Sequence, residues 1–181
     1  MKEFECHHKD VLIRSTVLST LLSGFGPYKR RGERILKRAL GVEEVKISED
    51  SHYPLHLYMD AIQKLQEQFG QGFMTRIGFF TFETAKFPPE ETLEKMLPKM
   101  DVAYHMNHVN SEGKIGRYVW TPTGDKKGTM EASSPYPCAF DLGILQGLFG
   151  KLAPGEHKVE HDPTCACRFK GGDSCTYILE W

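Results

Sequence analysis

Apolar positions along the chain recur with two different periods. From residue 11 to about residue 110 they fall mainly at helical spacing; beyond that they alternate, apart from one helical interlude. Val11 to Leu22 is mostly apolar and β-branched and suits either helix or strand, until Gly24, Gly26 and Pro27 interrupt it. Tyr28 to Leu40 reads as a helix, with Ile35, Leu36 and Leu40 as a narrow apolar stripe and Gly41 as its C-cap. Val42 to Ile47 alternates as a short strand does. Ser51-His-Tyr-Pro54 opens a helix that carries Leu57, Ala61, Ile62 and Leu65 and ends near Gly70. Gly72 to Phe82 forms another, with Phe73, Ile77, Phe80 and Thr81 on one side. Pro88-Pro89-Glu-Glu starts a third, whose acidic first turn suits the helix dipole; interrupted at Pro98, it runs to about His108.

Lys114 to Trp120 and Lys127 to Ala132 then read as strands joined through Thr121-Pro-Thr-Gly-Asp125. Cys138 to Leu152 returns to helical spacing, with Phe140, Ile144, Leu145 and Leu148 apolar and Gly150 closing it. His157 to His161, Thr164 to Phe169 and Ser174 to Trp181 read as three short strands, the last two joined by Gly171-Gly-Asp173. Helices first and hairpins later predict an α+β fold. A helical N-terminal half, about 1–110, precedes an antiparallel sheet, about 111–181, with one crossing helix. No repeat, low-complexity tract or linker divides residues 1–181, so a single domain is expected.

Composition narrows the partners. The 181 residues hold 23 Lys and Arg against 24 Asp and Glu, a net charge of -1, which gives no bulk reason to expect nucleic acid or membrane as a partner. No apolar run approaches the roughly 18 residues of a membrane span. The start, Met1-Lys-Glu-Phe-Glu-Cys-His-His, lacks the basic-then-apolar pattern of a secretory signal, so a cytoplasmic location is expected. The one basic run, Lys29 to Arg38, lies on the second helical segment and reads as a solvated face. Val11 to Leu22 is more apolar than a lone surface helix needs, which predicts a homodimer formed through N-terminal helices.

The sharpest chemistry lies near the end. Cys165-Ala-Cys-Arg-Phe-Lys-Gly-Gly-Asp-Ser-Cys175 brings Cys167 and Cys175 close across a hairpin, and Cys165 points with Cys167 because strand side chains alternate. Cys138 starts the preceding helix, where the dipole favours thiolate. Zinc takes four soft or borderline ligands in a tetrahedron. Cys138, Cys165, Cys167 and Cys175, with His161 in reserve, make a candidate zinc site; buried or free thiols in a reduced protein are the alternative. Elsewhere His52 and His56 are four apart but straddle Pro54, and there is no GxGxxG, P-loop, GxSxG or kinase signature. Phe79, Phe80, Phe82, Tyr104 and Trp120 line a candidate apolar ligand pocket, in which Tyr104 and His105 are the polar handles. Plain core is the competing reading of the same rings.

Cys167-x7-Cys175-Thr-Tyr-Ile with its Gly-Gly-Asp turn, and the preceding Pro137-Cys-Ala-Phe-Asp-Leu-Gly-Ile-Leu-Gln-Gly-Leu-Phe segment, resemble the 4-vinyl-reductase-like domain family. That family is a small-molecule-binding relative of the TRAPP vesicle-tethering subunits and the haem nitric-oxide sensors, and includes the phenol-sensing domains of bacterial transcription activators. The resemblance covers roughly the last 50 residues. It implies a haem-NO-binding/TRAPP-like fold, dimerisation and zinc ligands at Cys138, Cys167 and Cys175. The family's Glu ligand falls on Thr164, leaving Cys165, Asp162 or His161 as the fourth ligand. A second resemblance, to the haem nitric-oxide sensors, places His105 where their proximal His stands. Their Tyr-x-Ser-x-Arg propionate motif falls on Ala132-Ser-Ser-Pro-Tyr136, where Ser134 alone matches.

Together these features point to a sensory domain that holds a small apolar or aromatic molecule, contains a structural zinc and acts on a signalling partner. Three other readings compete: a haem-based gas sensor using His105, a vinyl-reductase-like enzyme, and a scaffold or interaction subunit.

Overall fold

The apolar segment at the start divides in two. In the computed structural model, which describes residues 2–181, Leu12–Arg14 is strand β1 and Ser15–Gly24 is helix α1. The switch comes at Ser15. Its backbone N–H donates to the Ser51 carbonyl at 2.9 Å and its hydroxyl to the Ser48 carbonyl at 2.8 Å. β1 is the middle strand of a small antiparallel sheet, ordered β2–β1–β3, with β2 at His52–Pro54 and β3 at His108–Val109. That sheet ties together the start, middle and end of the helical half. Val11, Ile13, Leu18 and Leu21 are fully buried in this chain's own core. The segment is therefore no exposed patch, and the reason for expecting dimerisation through it falls away.

The remaining helices of this half are α2 (Lys29–Leu40), α3 (Leu55–Phe69), α4 (Gln71–Thr84), α5 (Leu93–Met96) and α6 (Met100–Met106). Pro98 lies in a 3-10 turn, Leu97–Lys99, that separates α5 from α6. α2 buries Gly32, Leu36 and Leu40 and exposes Lys29, Arg30, Arg31, Arg34 and Arg38, the solvated face expected of it. The strand expected at Val42 to Ile47 does not form. The Tyr53 hydroxyl accepts from the Lys46 N–H at 2.7 Å and donates to the Lys46 carbonyl, so a side chain supplies what a partner strand would. Among the described residues, no helix is long and apolar enough to cross a membrane.

Beyond residue 110 come β4 (Tyr118–Gly124), β5 (Lys127–Ala132), helix α7 (Cys138–Leu152), β6 (Lys158–His161) and β7 (Cys175–Glu180). The sheet runs β4–β5–β7–β6, antiparallel throughout. The predicted strand at Thr164 to Phe169 is absent, and β7 pairs with β6 instead. The Cys167 carbonyl accepts N–H groups from both Lys170 and Gly172 at 2.9 Å, and Gly171 has φ +88°. These bonds curl the chain into a knuckle rather than extending it.

α7 crosses the sheet and packs against α4 more closely than side chains allow. A Cβ at Gly78 would sit on the Phe140 carbonyl oxygen, and one at Gly143 on that of Thr75. Glycine is needed at this crossing for close backbone approach. The outcome is the expected α+β architecture, with α7 sandwiched between α4 and the terminal sheet.

Candidate metal centre and ligand cavity

Helix, strand and knuckle bring four ligand atoms together beneath the end of the sheet. Cys138 opens α7, directly after Pro137. His161 ends β6 and is paired in register with Tyr177, so it lies on the same face as Cys175, a diagonal neighbour. Cys167 and Cys175 stand at the two ends of the knuckle. The sulfurs of Cys167 and Cys138 are 4.0 Å apart and those of Cys175 and Cys167 3.9 Å. All four ligand atoms, with one from His161, lie within 4.8 Å of one another. A Zn–S bond of about 2.3 Å in a tetrahedron sets sulfurs about 3.8 Å apart. His161 Nε2 is buried and has no hydrogen-bond partner among the described residues, the condition of a nitrogen reserved for a ligand. The donor set fits zinc.

The surroundings brace the ligands. The Arg168 N–H donates to the Cys175 sulfur at 3.3 Å, and the Tyr177 hydroxyl to the Cys138 carbonyl at 2.9 Å. The Cys138 N–H donates to Glu3 at 2.7 Å. Contact with the Cys138 thiol is the largest influence on Cys175 and draws its pKa down; burial opposes this and the Arg168 charge supports it. The same contact, with burial, pushes Cys138 up. Cys165 stands apart from the cluster. It is exposed, and its thiol donates to Asp162 Oδ2 at 3.3 Å. It would point inward only if residues 164–169 formed a strand.

The expected pocket residues scatter. Phe79 is 40% exposed on α4. Phe80 packs edge-on against Phe79, and Phe82 against Phe87. Trp120 packs beside Trp181 at the terminal sheet, the rings tilted by 47°. His105 borders surface grooves, with Nδ1 2.7 Å from the Ser111 hydroxyl and Nε2 3.8 Å from Asp101. Of the six, Tyr104 alone lines the internal cavity. Rings on one helix suggest one pocket, but none of Phe79, Phe80 and Phe82 lines the cavity.

The cavity itself is about 40 Å³ and lies among α1, α4, α6, β3, β4 and α7, bounded by Val17, Thr81, Met100, Tyr118, Phe140 and Ile144. Polar groups on its walls include Thr81, Asn107 and the pair His108 and Tyr136. His108 Nδ1–H donates to the Tyr104 carbonyl at 2.7 Å, which leaves Nε2 to accept from the Tyr136 hydroxyl at 2.8 Å. Burial lowers the His108 pKa to about 4, against the pull of the Tyr104 carbonyl, so the ring is neutral near pH 7. Its place at the end of a predicted helix suggests a partly exposed residue, and the sequence carries no sign of this buried role.

A second group without a sequence signature of its own adjoins it. Asp141 on α7 and Arg168 in the knuckle form a fully buried ion pair, and Tyr118 and Ser134 donate hydroxyls to the carboxylate. A lone acid in the otherwise apolar segment Ala139 to Leu145 is the available signal; nothing marks Arg168 as its partner.

Haem is the cofactor that needs testing against these residues. Porphyrin sites require several hundred Å³, whereas Tyr104, Tyr118, Tyr136 and Phe140 close this cavity to about 40 Å³. Both His108 nitrogens are engaged, and Ser134 and Arg168 are committed to Asp141. As packed, the residues present do not fit haem.

No family model matches the chain, and no curated protein matches it. Solved structures do. An H-NOX protein from S. oneidensis in the Fe(II)NO ligation state superposes with a TM-score of 0.69 at 14% identity, over 93% of this chain and 98% of that one. A structure described as probing haem distortion in the H-NOX family gives 0.69 at 16% identity, over 93% and 95%. Fe(II) unliganded H-NOX from K. algicida gives 0.64 at 12% identity, over 93% and 96%. The helices, the terminal sheet and the helix between them are thus arranged as in H-NOX domains, and the chain has the H-NOX fold.

Proposed function

We propose that this chain is a sensory domain that takes a small apolar molecule into the cavity beside His108 and Tyr136. A zinc ion held by Cys138, His161, Cys167 and Cys175 fastens the adjoining helix to the terminal sheet. The observation that carries the reading is the void itself. It lies at the junction of α1, α4, α6, β3, β4 and α7, with mostly apolar walls and a hydrogen-bonded His–Tyr pair to orient a guest. A guest larger than a few atoms must displace side chains of the lining, which includes Phe140 and Ile144 on α7. α7 begins at Cys138, so its movement is felt at the metal cluster and the sheet, where a signalling partner can read it. Zinc supplies a rigid cross-link there and takes no part in chemistry, because four protein ligands close its coordination.

The fold likeness favours a second reading, a haem-based gas sensor. Native mass spectrometry of the freshly purified protein, with an absorbance titration by hemin, separates the two. The expected outcome is about one zinc per chain, a small retained molecule or stabilisation by added phenol, and no Soret band. A Soret band at one hemin per chain would establish the haem reading instead. A metal-free chain indifferent to phenol and hemin would leave a scaffold role. The same spectrum reports whether the chain is a monomer or a dimer.

A further inference from the structure

Asp141 and Arg168 meet where the knuckle, α7 and the sheet converge, and each side chain is 0% exposed. Apolar side chains of like volume would seal such a junction at a smaller desolvation cost. The donors around the carboxylate also exceed what an ion pair requires. Oδ1 accepts the Tyr118 hydroxyl at 2.5 Å; Oδ2 accepts the Ser134 hydroxyl at 3.1 Å and Arg168 Nη2. Arg168 is aimed by the backbone, since its Nη1 donates to the Ser134 and Tyr136 carbonyls, and to the Ser134 hydroxyl at 2.9 Å. Its Nε is buried with no partner among the described residues.

Three donors thus come from β4, the loop before α7 and the knuckle, while the carboxylate they hold comes from α7. Tyr118 faces both ways: its ring lines the cavity and its hydroxyl holds Asp141. We infer that Tyr118, Ser134 and Arg168 form a carboxylate-binding cradle occupied by the chain's own Asp141, and that this occupancy restricts the adjoining cavity to uncharged ligands. An acid entering the cavity meets no Lys or Arg on the walls formed by the described residues. The nearby cation, Arg168, is already paired, and burying an unpaired charge is prohibitive. The restriction on ligands rests on the sensory reading; the cradle does not.

Chemical rescue tests it. Asp141→Ala removes the carboxylate and leaves the donors with room for formate. Its melting temperature in sodium chloride should fall roughly 10 °C below wild type. Sodium formate at the same concentration should restore several degrees of that loss. Asp141→Asn keeps the cradle filled and should not respond to formate. If Asp141→Ala does not accumulate as folded protein, its refolding yield from urea in formate against chloride reads the same effect. Formate acting no better than chloride, or acting equally on both variants, would overturn the cradle. For wild type, benzyl alcohol should raise the melting temperature and benzoate should not; benzoate matching benzyl alcohol would overturn the exclusion of acids. If neither probe stabilises wild type while formate still rescues Asp141→Ala, the sensory reading falls, and the exclusion with it, but the cradle stands.

Discussion

The metal cluster and the cavity lie on the two sides of α7 and are built in opposite ways. Three of the four candidate metal ligands fall between residues 161 and 175, on a strand, a knuckle and the strand that follows. Short connections and backbone hydrogen bonds fix their separations. The cavity draws its walls from Val17 to Ile144, across six elements separated in sequence. Side-chain packing and side-chain hydrogen bonds, among them His108–Tyr136 and Tyr118–Asp141, hold those walls. The first arrangement suits a rigid cross-link. The second suits a site that must open for a guest, because side-chain contacts between elements distant in sequence give way more easily than short loops do.

Breaking the rigid side should have the largest effect. Cys175→Ser, or removal of zinc by a chelator, should lower zinc content below one per chain and lower stability by several kcal/mol. Structural zinc in small peptides contributes on the order of 10 kcal/mol. Cys165→Ser should change neither quantity, although it lies two residues from Cys167. Elemental analysis with thermal unfolding reads both variants. Equal zinc loss in the two would place Cys165 in the cluster and contradict the geometry.

The cavity side gives a smaller, pH-dependent effect. The His108 pKa is about 4 when folded, against about 6.5 unfolded. As pH falls from 6.5 towards 4 the unfolded chain takes up the proton first. Stability present above pH 6.5 is therefore lost over that interval, by about 3 kcal/mol. Comparing urea unfolding of wild type and His108→Asn at pH 7 and pH 4.5 isolates this contribution, since every other group is common to both proteins. Parallel losses in the two proteins would show that His108 is not buried as described.

The smallest effect concerns Trp120. The ring is half-buried against Trp181 and away from the cavity. Trp120→Ala should cost about 2 kcal/mol, less than a fully buried Trp would, and leave phenol binding unchanged. Weakened binding at this variant would return Trp120 to the pocket.

How much of this is legible in the chain follows from the same contrast. The cysteines can be grouped because a hairpin-like stretch keeps Cys167 and Cys175 close whatever its exact shape. The strand expected at Thr164 to Phe169, which does not form, misleads only about Cys165, whose direction depends on strand alternation. His161, a reserve ligand on sequence grounds, proves to be the fourth member of the cluster. The α+β order, with α7 between two sets of strands, also follows from the change of period. The cavity is not legible, since its walls depend on helix rotation and on the glycine-permitted crossing of α4 and α7. Phe79 looks like a pocket residue by type and is exposed because the crossing turns it outward. Asp141 and Arg168 are 27 residues apart, and no local pattern pairs them.

Backbone and methyl NMR during a phenol titration tests the sensory reading most directly. The account predicts saturable shifts centred on Thr81, Asn107, His108 and Ile144, spreading along α7 to Cys138. Shifts confined to surface grooves, or none at all, would contradict it.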